Sequence, residues 1–362
     1  IVLIKHVLSA IPMHLLSAAV MPKTIFRVIE KTCSEFLWGA SGGDPKRHWV
    51  RWSQLCYPVN EGGVSFRRLR DVYNAFSYKL WWSFLTRSSL WAKFLHAKYC
   101  QGIHQCQAEI KATASAAVKR MIHGHRHVEL SIRCLIHRGP CDYWYDHWIG
   151  TGALHLTAIV LPNLSFEDFI VQGQWDAQLL GQFFTPNIVS SILKLATPSG
   201  DSGTEAVWMP TSTGKFTLSS AFQEVRQVQH KSFVYSQIWQ PNLPFKVSFL
   251  MLRLLRGRLP MDGVLCRLGF QLPSQCFCCE APAVETIEPV FFTGRLAMEV
   301  WTFFNGTCGI HPQPLVLRAC LLGWWQLASM SSQRRFLLAG LPNWICWHLW
   351  KARNRAVFEG IW

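Results

Sequence analysis

Residues 60–99 read NEGGVSFRRLRDVYNAFSYKLWWSFLTRSSLWAKFLHAKY, and this stretch decides the class of fold. Its Asn-Glu-Gly-Gly start is typical of a turn, because glycine accepts backbone conformations that other residues avoid. Further on, Leu80, Trp81, Phe84 and Leu85 have the spacing that places them on one side of a helix. Most of the arginines and lysines fall on the opposite side. The pattern predicts a turn followed by one or two amphipathic helices.

The same helical periodicity extends towards both ends of the chain. In the opening residues an apolar side chain recurs every three or four positions until Pro22. The segment TIFRVIEKTCSEFLWG then predicts a helix that ends at Gly39. Two later segments, FKVSFLMLRLLRGRLP and LPNWICWHLWKARNRAVFEGIW, also predict helices, and a short one is expected after Asp262. The last helix carries its basic residues, Lys351, Arg353 and Arg355, in its later turns.

Residues 100–200 are less regular. RCLIHRGPCDYWYDHWIGTGALH predicts short strands and turns, whereas FEDFIVQGQWDAQLLGQFF and PNIVSSILKL predict short helices. After a break at 196–205, the best candidate boundary, VWMPTSTGKFTLSSAFQEVR predicts strand, turn, strand and helix. The predicted fold class is therefore mainly α with small β elements (α+β), in a multi-module helical fragment with no polymerase palm.

The composition points to a polyanionic partner. Lysine and arginine exceed aspartate and glutamate by 15, with a pI of about 9.4, which favours nucleic acid as that partner. A solvated basic surface is the alternative, since the charge is dispersed. The 18 tryptophans favour aromatic-rich cores, with base stacking as the other interpretation.

Most familiar catalytic arrangements are missing from the sequence. A polymerase holds two magnesium ions with paired aspartates, and no Asp-Asp pair occurs here. Neither GxGxxG nor GxxxxGK[ST] is present. No apolar run reaches the roughly 18 residues of a membrane span. We therefore predict a protein that is not an enzyme and has no membrane partner; its oligomeric state stays open.

Three features of the cysteine and histidine residues bear on cellular location and on metal binding. The 13 cysteines are irregularly spaced and no secretory signal precedes them, which indicates reduced thiols and an intracellular location, with the nucleus as one option. His123, His125 and His127 alternate, and could bind a metal from one side of a strand, but a basic exposed loop is the preferred interpretation. The segment CQGIHQC, with Cys100, His104 and Cys106, is interpreted as incidental.

The segment CFCCEAPAVETIEPVFFTGRLAMEVW, residues 276–301, begins like a metal site. Cys276 and Cys279 have C-x₂-C spacing, with Cys278 between them. A structural zinc ion needs four ligands, yet the 22 residues from Glu280 to Trp301 contain neither cysteine nor histidine. The site therefore either has distant partners or has lost them.

Several motifs together resemble plant LINE-type (non-LTR) retrotransposon polyproteins. HWVRWSQLCYPVNEGGVSFRRLRDVYNAFSYKLWW is similar to a stretch that follows their reverse transcriptase domain. YWYDHWIGTGAL resembles their recurrent WYDxWxGxGxL, through Trp144, Tyr145, Asp146, Trp148 and Gly150. GKFTLSSAF and IWQPNLPFKVSFLMLRLLRGRLPMDGVLCRLGF look like the start of the reverse transcriptase zinc-binding domain. The ordered series covers nearly the whole chain.

The resemblance implies a division of the chain into modules. Residues 1–110 would be a helical region following the reverse transcriptase domain, and 111–200 a connecting module with the WYDxWxG motif. Residues 205–310 would be a degenerate reverse transcriptase zinc-binding domain, and 311–362 a helical link toward a ribonuclease H region. Because the chain opens without methionine and inside an apparent helix, we expect it to be part of a longer polyprotein.

The resemblance also identifies what the zinc-binding segment lacks. The family runs C-x₂-C, a spacer, ETxxHLFxxC and a tryptophan, and Glu285, Thr286, Phe291 and Trp301 match it here. Pro289 stands where the family has histidine, and Gly294 where it has the last cysteine. Cys276 and Cys279 are then a remnant that is not expected to hold zinc tightly, with Cys308 as a remote substitute ligand. We predict no tightly bound cofactor, zinc being the one considered.

Two functions follow as hypotheses. The first is a non-catalytic, nucleic-acid-associated segment of a retrotransposon polyprotein. Its candidate RNA- or DNA-binding residues are Arg67, Arg68, Arg70, Arg253, Arg256 and Arg258. For each arginine the alternative is a solvated helix face. The second function is a degenerate relic with no activity of its own, and an independent metalloenzyme is the least favoured.

Overall fold

A computed structural model describes residues 1–39, 47–108, 113–136, 141–158, 161–198, 205–271, 276, 284–310, 316–327 and 331–360. The chain separates into two compact units, each made of more than one stretch of chain. The first unit contains Val2–Ile29 and Arg68–Gln227, and the second contains Ile1, Glu30–Arg67 and Val228–Trp362. The four-module division of the sequence stays a prediction.

Helices dominate the described residues, which confirms the predicted fold class. Up to residue 193 the helices are α1 (Met13–Ala18), α2 (Lys23–Trp38), α3 (Trp52–Leu55), α4 (Leu69–Thr86), α5 (Leu90–Tyr99), α6 (Ala116–Val128), α7 (Ala177–Phe183) and α8 (Pro186–Leu193). They continue with α9 (Leu218–Val225), α10 (Phe233–Ile238), α11 (Phe245–Leu255), α12 (Asp262–Cys266), α13 (Arg295–Cys308), α14 (Leu317–Gln326) and α15 (Ser332–Glu359). The predicted end of α2 is confirmed, since Gly39 follows it with φ +78°.

The strands are short and belong to the first unit. β1 (Ile132–Leu135) pairs antiparallel with β4 (Glu205–Trp208), so that Ile132 lies opposite Trp208. β2 (Ile170–Val171) and β3 (Gln174–Trp175) form a two-residue hairpin. β4 contacts α4, whose Trp81 and Phe84 are buried.

Two large apolar cores stabilise the first unit, beside a smaller cluster of Leu16, Phe26, Leu69 and Val72. In one, α4 packs against α6 and α9 and buries Trp81 and Phe84. In the other, rings from the 143–149 loop pack against residues that follow it in sequence. This aromatic core consists chiefly of Tyr143, Trp144, Trp148, Phe169, Trp175 and Phe184. In the second unit, α15 is the central helix and packs against α10, α11, α13 and α14.

Three local expectations were wrong. His123, His125 and His127 lie in α6, not in a strand or a loop, because the surrounding residues have helical amphipathic spacing. The second strand expected after Gly214 does not form, since Thr217 instead caps α9 by accepting a hydrogen bond from the Ser220 backbone. Part of 166–184 forms the β2–β3 hairpin instead of helix, with Gln172 and Gly173 in the turn at positive φ.

Candidate functional site

Residues 276–301, the zinc-like segment, have a buried hydrophobic frame. Cys276 is buried, while Cys278 and Cys279 lie outside the described residues. Val290 and Phe291 are buried in a single helical turn, Pro289–Thr293, just before α13. Trp301 on α13 donates its indole N–H to the carbonyl of Phe291 at 2.8 Å. The residues that match the family pattern are thus packing residues.

The two replaced positions offer no metal ligand. Pro289 begins the helical turn, where its missing N–H costs no intrahelical hydrogen bond. The backbone N–H of Gly294 donates to the Pro289 carbonyl at 2.9 Å, and Gly294 is also the N-cap of α13. Neither residue has a side-chain donor atom for zinc, so the residues present do not fit the four-ligand site of the family. Among described residues, no group of three ligating side chains includes Cys276 or Cys308.

A buried ion pair anchors the same segment. Arg353 on α15 donates from Nε to Glu285 Oε2 at 2.8 Å and from Nη2 to Glu285 Oε1 at 2.5 Å. Glu285 is 1% exposed and Arg353 6% exposed. Asp262 lies near the same guanidinium, its Oδ1 3.8 Å from Arg353 Nη2. The glutamate of the family pattern is therefore a structural anchor in this chain.

Sequence reasoning placed Arg353 among the basic residues of the last helix and missed this role. A signal was available in the helical spacing. Ile345, Cys346 and Leu349 are buried and precede Arg353 by eight, seven and four residues. Arg353 therefore lies on the apolar face of α15, where an arginine needs an acidic partner.

Half of the candidate nucleic-acid arginines are openly exposed. Arg67 and Arg70 flank the start of α4, and Arg258 follows α11; all three are exposed, whereas Arg68 is half-buried. Their side chains are available to phosphates without disturbing a core. Whether they bind nucleic acid stays a prediction.

The other two arginines have contacts within the second unit. Arg253 lies over the ring of Trp49 at 5.4 Å and donates to the Arg258 carbonyl at 3.2 Å. Burial lowers the pKa of Arg253 to about 10, so it stays charged at neutral pH. Arg256 donates from Nη2 to the Gly62 carbonyl at 2.8 Å. These contacts favour the structural interpretation for Arg253 and Arg256.

A second group of possible metal ligands lies in the first unit, outside the zinc-like segment. Cys134, Cys141 and Asp146 bring their Sγ and carboxylate oxygen atoms within 4.8 Å of one another. We call these three residues the thiol–carboxylate cluster. His104 Nε2 lies 3.1 Å from Asp146 Oδ1. His104 thus belongs to a spatial group that the interpretation of CQGIHQC as incidental did not foresee.

A tight turn positions Asp146 and Cys141. The carboxylate of Asp142 accepts the backbone N–H groups of Trp144 and Tyr145, both at 2.9 Å. In return, the N–H of Asp142 donates to Asp146 Oδ2 at 2.8 Å. Such side-chain to backbone hydrogen bonds favour turns over helix. Asp142 and the motif aspartate, Asp146, thereby fix the turn that follows β1 in sequence.

The protonation of the cluster follows from its burial and its mutual contacts. Hydrogen bonding to Cys134, together with burial, raises the pKa of the Cys141 thiol. Burial alone would raise the pKa of Asp146, but the hydrogen bond and charge of His104, together with hydrogen bonds from the Asp142 N–H and from Cys134, hold that pKa below its usual value. Nearby, burial raises the pKa of Glu129 to about 7, and its carboxylate accepts the indole N–H of Trp81.

The motif tryptophans support the core interpretation of the tryptophan content. Trp144 and Trp148 are buried, and their indole N–H groups donate to the carbonyls of Leu164 and Tyr143 at 2.6 and 2.9 Å. Trp148 also stacks on Trp175 with ring centroids 5.5 Å apart. Rings enclosed in this way are not open for base stacking.

The alternating histidines form no metal group among the residues that the structure describes. His125 packs against Trp81 with ring centroids 4.7 Å apart, while His123 and His127 are exposed. Helical geometry points residues two positions apart in different directions, which explains the split.

Residues 216–301 match the family described as zinc-binding in reverse transcriptase. Over this segment the chain is thus similar to a class of modules associated with reverse transcriptases, which supports a relationship to retrotransposon proteins. The match lies within the 205–310 range predicted for that domain.

A particular relative extends the similarity beyond this segment. The "Putative ribonuclease H protein" of Arabidopsis thaliana is 27% identical over 277 residues, covering 69% of this chain and 43% of the relative. The chain thus spans less than half the length of the curated relative it matches. In the described parts of the chain, no helix is both long and apolar enough to cross a membrane.

Proposed function

We propose that this chain is a non-catalytic segment of a plant LINE-type retrotransposon polyprotein, lying between its polymerase and ribonuclease H regions. In this proposal residues 205–310 are a reverse transcriptase zinc-binding domain that has lost two ligands. The chain associates with RNA or DNA through exposed arginines. Similarity to a relative named for ribonuclease H supports the position in the polyprotein.

The observation that supports the proposal is a buried apolar frame at positions that match the family, beside two residues that cannot ligate zinc where the resemblance implies ligands. Phe291 and Trp301 are buried at the matching positions, and Glu285 is anchored by Arg353. Pro289 and Gly294 nevertheless stand where the ligands belong. A module that keeps its packing after losing its ligands is expected to be stabilised by its core instead of by zinc.

Net charge supports the nucleic-acid partner. An excess of 15 positive charges attracts a polyanion, and Arg67, Arg70 and Arg258 are free to reach phosphates. An intracellular and specifically nuclear location would follow from binding to RNA or target DNA. The competing proposal is a relic without activity, and it rests on the same missing ligands. It differs because it predicts that these arginines make no specific contact with nucleic acid.

The test is a salt-titrated binding assay with labelled single-stranded RNA and duplex DNA. Arg67→Gln/Arg70→Gln should weaken binding and reduce the slope of log affinity against log salt by about 2 on duplex DNA, because each lost phosphate contact removes about one released counterion. The matched control, Lys79→Gln/Arg318→Gln, removes the same charge from exposed positions elsewhere and should change the slope less.

Binding that is absent or insensitive to salt would overturn the nucleic-acid assignment. Equal slopes for the two double variants would assign the attraction to net charge alone. A chain that also lacks a cooperative thermal transition would be the relic of the competing proposal.

A further inference from the structure

We propose that the thiol–carboxylate cluster of Cys134, Cys141 and Asp146 is a binding site for a zinc-class divalent ion. The site lies in the first unit and outside residues 216–301, so it is independent of the degenerate zinc-binding segment. Its three ligands would come from β1 and from the turn that follows it in sequence.

The spacing of the three ligand atoms fits such an ion. All of them lie within 4.8 Å of one another. A tetrahedral zinc ion with two sulfur ligands and one oxygen ligand sets its donor atoms roughly 3.5–3.8 Å apart, given bond lengths of about 2.3 and 2.0 Å. Binding an ion would therefore require the ligand atoms to approach one another by at most about 1 Å.

The ligands are held in place before any ion binds. The backbone N–H of Cys134 donates to the His147 carbonyl at 2.9 Å, while β1 is paired with β4 on its other side. Asp146 is fixed by the hydrogen bond from the Asp142 N–H described above. Cys134 is 4% and Asp146 7% exposed, so the surrounding packing restricts the movement of both side chains.

His104 supplies an outer-shell contact. Its Nδ1 accepts the backbone N–H of Cys106 at 3.2 Å, which leaves Nε2 as the donor to Asp146 Oδ1. A ligating carboxylate oriented by a second side chain is a common feature of metal sites, and such partners affect affinity by roughly 10–100-fold. The arrangement favours a role for His104 in positioning Asp146.

The cluster also has room for a fourth ligand. It opens on a cavity of about 810 Å³ whose lining includes His96, His104, Cys134, Cys141 and Asp146. A water molecule or a small anionic ligand can complete the coordination from that side. Two thiolates make the site soft, which selects zinc or a similar transition metal over magnesium and calcium. A closed structural site would lack this opening.

The test uses the full chain, reduced and freed of metals, then titrated with zinc alone or with cobalt alone. We expect one ion per chain, and thiolate-to-cobalt charge-transfer absorption in the cobalt-loaded protein. Cys134→Ser/Cys141→Ser should lose that absorption and bind zinc at least 10-fold more weakly. The matched control, Cys276→Ser/Cys279→Ser, also removes two cysteines but should keep both the absorption and the affinity.

Two further variants keep the test decisive if the double cysteine variant does not fold. Asp146→Asn preserves volume and should weaken zinc binding, and His104→Gln should do so by about 10-fold. The proposal is overturned if the reduced parent binds no zinc, as it would if Cys134 and Cys141 served only to form a disulfide. Loss of binding in Cys276→Ser/Cys279→Ser, with retention in Cys134→Ser/Cys141→Ser, would also overturn it.

Discussion

Glu61, Gly62 and Gly63 form an EGG motif, and each of them has a steric or hydrogen-bonding role that explains its presence. A Cβ atom on Gly63 would lie 1.8 Å from the Tyr57 carbonyl oxygen, and Gly62 has φ +88° beside the ring of Tyr235. Glu61 is buried and accepts the Gln229 N–H at 3.0 Å. The motif is therefore a structural turn in this chain, since only glycine tolerates such close approach.

Glu129 makes stability depend on pH at the residue scale. Burial raises its pKa from 4.5 to about 7, so the folded state holds the proton more tightly than the unfolded state. The resulting stability is complete below pH 4.5 and is lost as pH rises through 7. Glu129→Gln removes this titration while its amide oxygen can still accept the Trp81 N–H. As pH rises from 4.5 to 8, the variant should therefore lose up to about 3 kcal/mol less of its free energy of unfolding than the parent does.

Chemical denaturation at several pH values measures this difference. The groups that face Glu129 are Trp81, Cys106, His104 and Asp146. Asp146 has a lowered pKa, so its own contribution is lost only as pH falls through the acidic range. Glu167→Gln, at an exposed carboxylate of the same unit, is the control and should leave the pH profile unchanged. Parallel profiles for Glu129→Gln and the parent would contradict the prediction.

At the scale of elements, buried arginines fix the orientation of neighbouring segments, because their hydrogen bonds are directional and apolar packing is not. Arg120 on α6 donates to Ser77 Oγ at 2.8 Å and to the carbonyls of Leu16 and Tyr73 at 2.8 and 2.6 Å. Its guanidinium lies 3.6 Å from the centre of the Tyr73 ring. In the second unit, Arg353 on α15 binds Glu285, which lies in a non-helical segment. Both guanidiniums donate in fixed directions, which orients the segments that they join.

Breaking the Glu285–Arg353 pair should destabilise the second unit strongly. Glu285→Gln leaves the Arg353 guanidinium buried with Asp262 as its remaining acidic neighbour, 3.8 Å away. The expected loss is about 3–5 kcal/mol in the free energy of unfolding, measured by chemical denaturation. The control is Glu299→Gln, which breaks the exposed Arg295–Glu299 pair and should cost at most about 0.5 kcal/mol. Equal effects of the two substitutions would refute a structural role for the buried pair.

At the scale of the whole molecule, metal binding is tested at two separate regions. The segment that matches the zinc-binding family contains Cys276 and a buried apolar frame, and we predict that Pro289 and Gly294 stand at two of its ligand positions. The thiol–carboxylate cluster lies in a region that the family match does not cover. Whether residues 276–294 have lost a zinc site and whether the thiol–carboxylate cluster binds an ion are therefore tested by different substitutions.

Restoring the family ligands should restore zinc binding to residues 276–294. In a chain that also carries Cys134→Ser/Cys141→Ser, Pro289→His/Gly294→Cys would complete four ligands with Cys276 and Cys279. We expect one tightly bound zinc ion per chain by metal analysis, and a higher melting temperature with zinc than with chelator, because such ions stabilise the folded state. The single variants are controls and should bind more weakly. Zinc binding no tighter than in the chain that carries Cys134→Ser/Cys141→Ser alone would contradict the prediction.

The sequence by itself determined the helical class and most helix positions, and its resemblance to a known family led to the prediction that two zinc ligands are missing. Those conclusions depend on spacing along the chain, which apolar periodicity and motif register record directly. It failed at His123–His127 and after Gly214, where a short polar pattern fits more than one local structure.

Only the tertiary structure decided which distant side chains meet. Arg353 finds Glu285 across 68 residues, and His104 finds Asp146 across 42. It also brought Cys134 beside Cys141 and Asp146 and enclosed the motif tryptophans in a core. Local spacing carries no information about such pairs, because their approach depends on how whole helices, strands and turns pack.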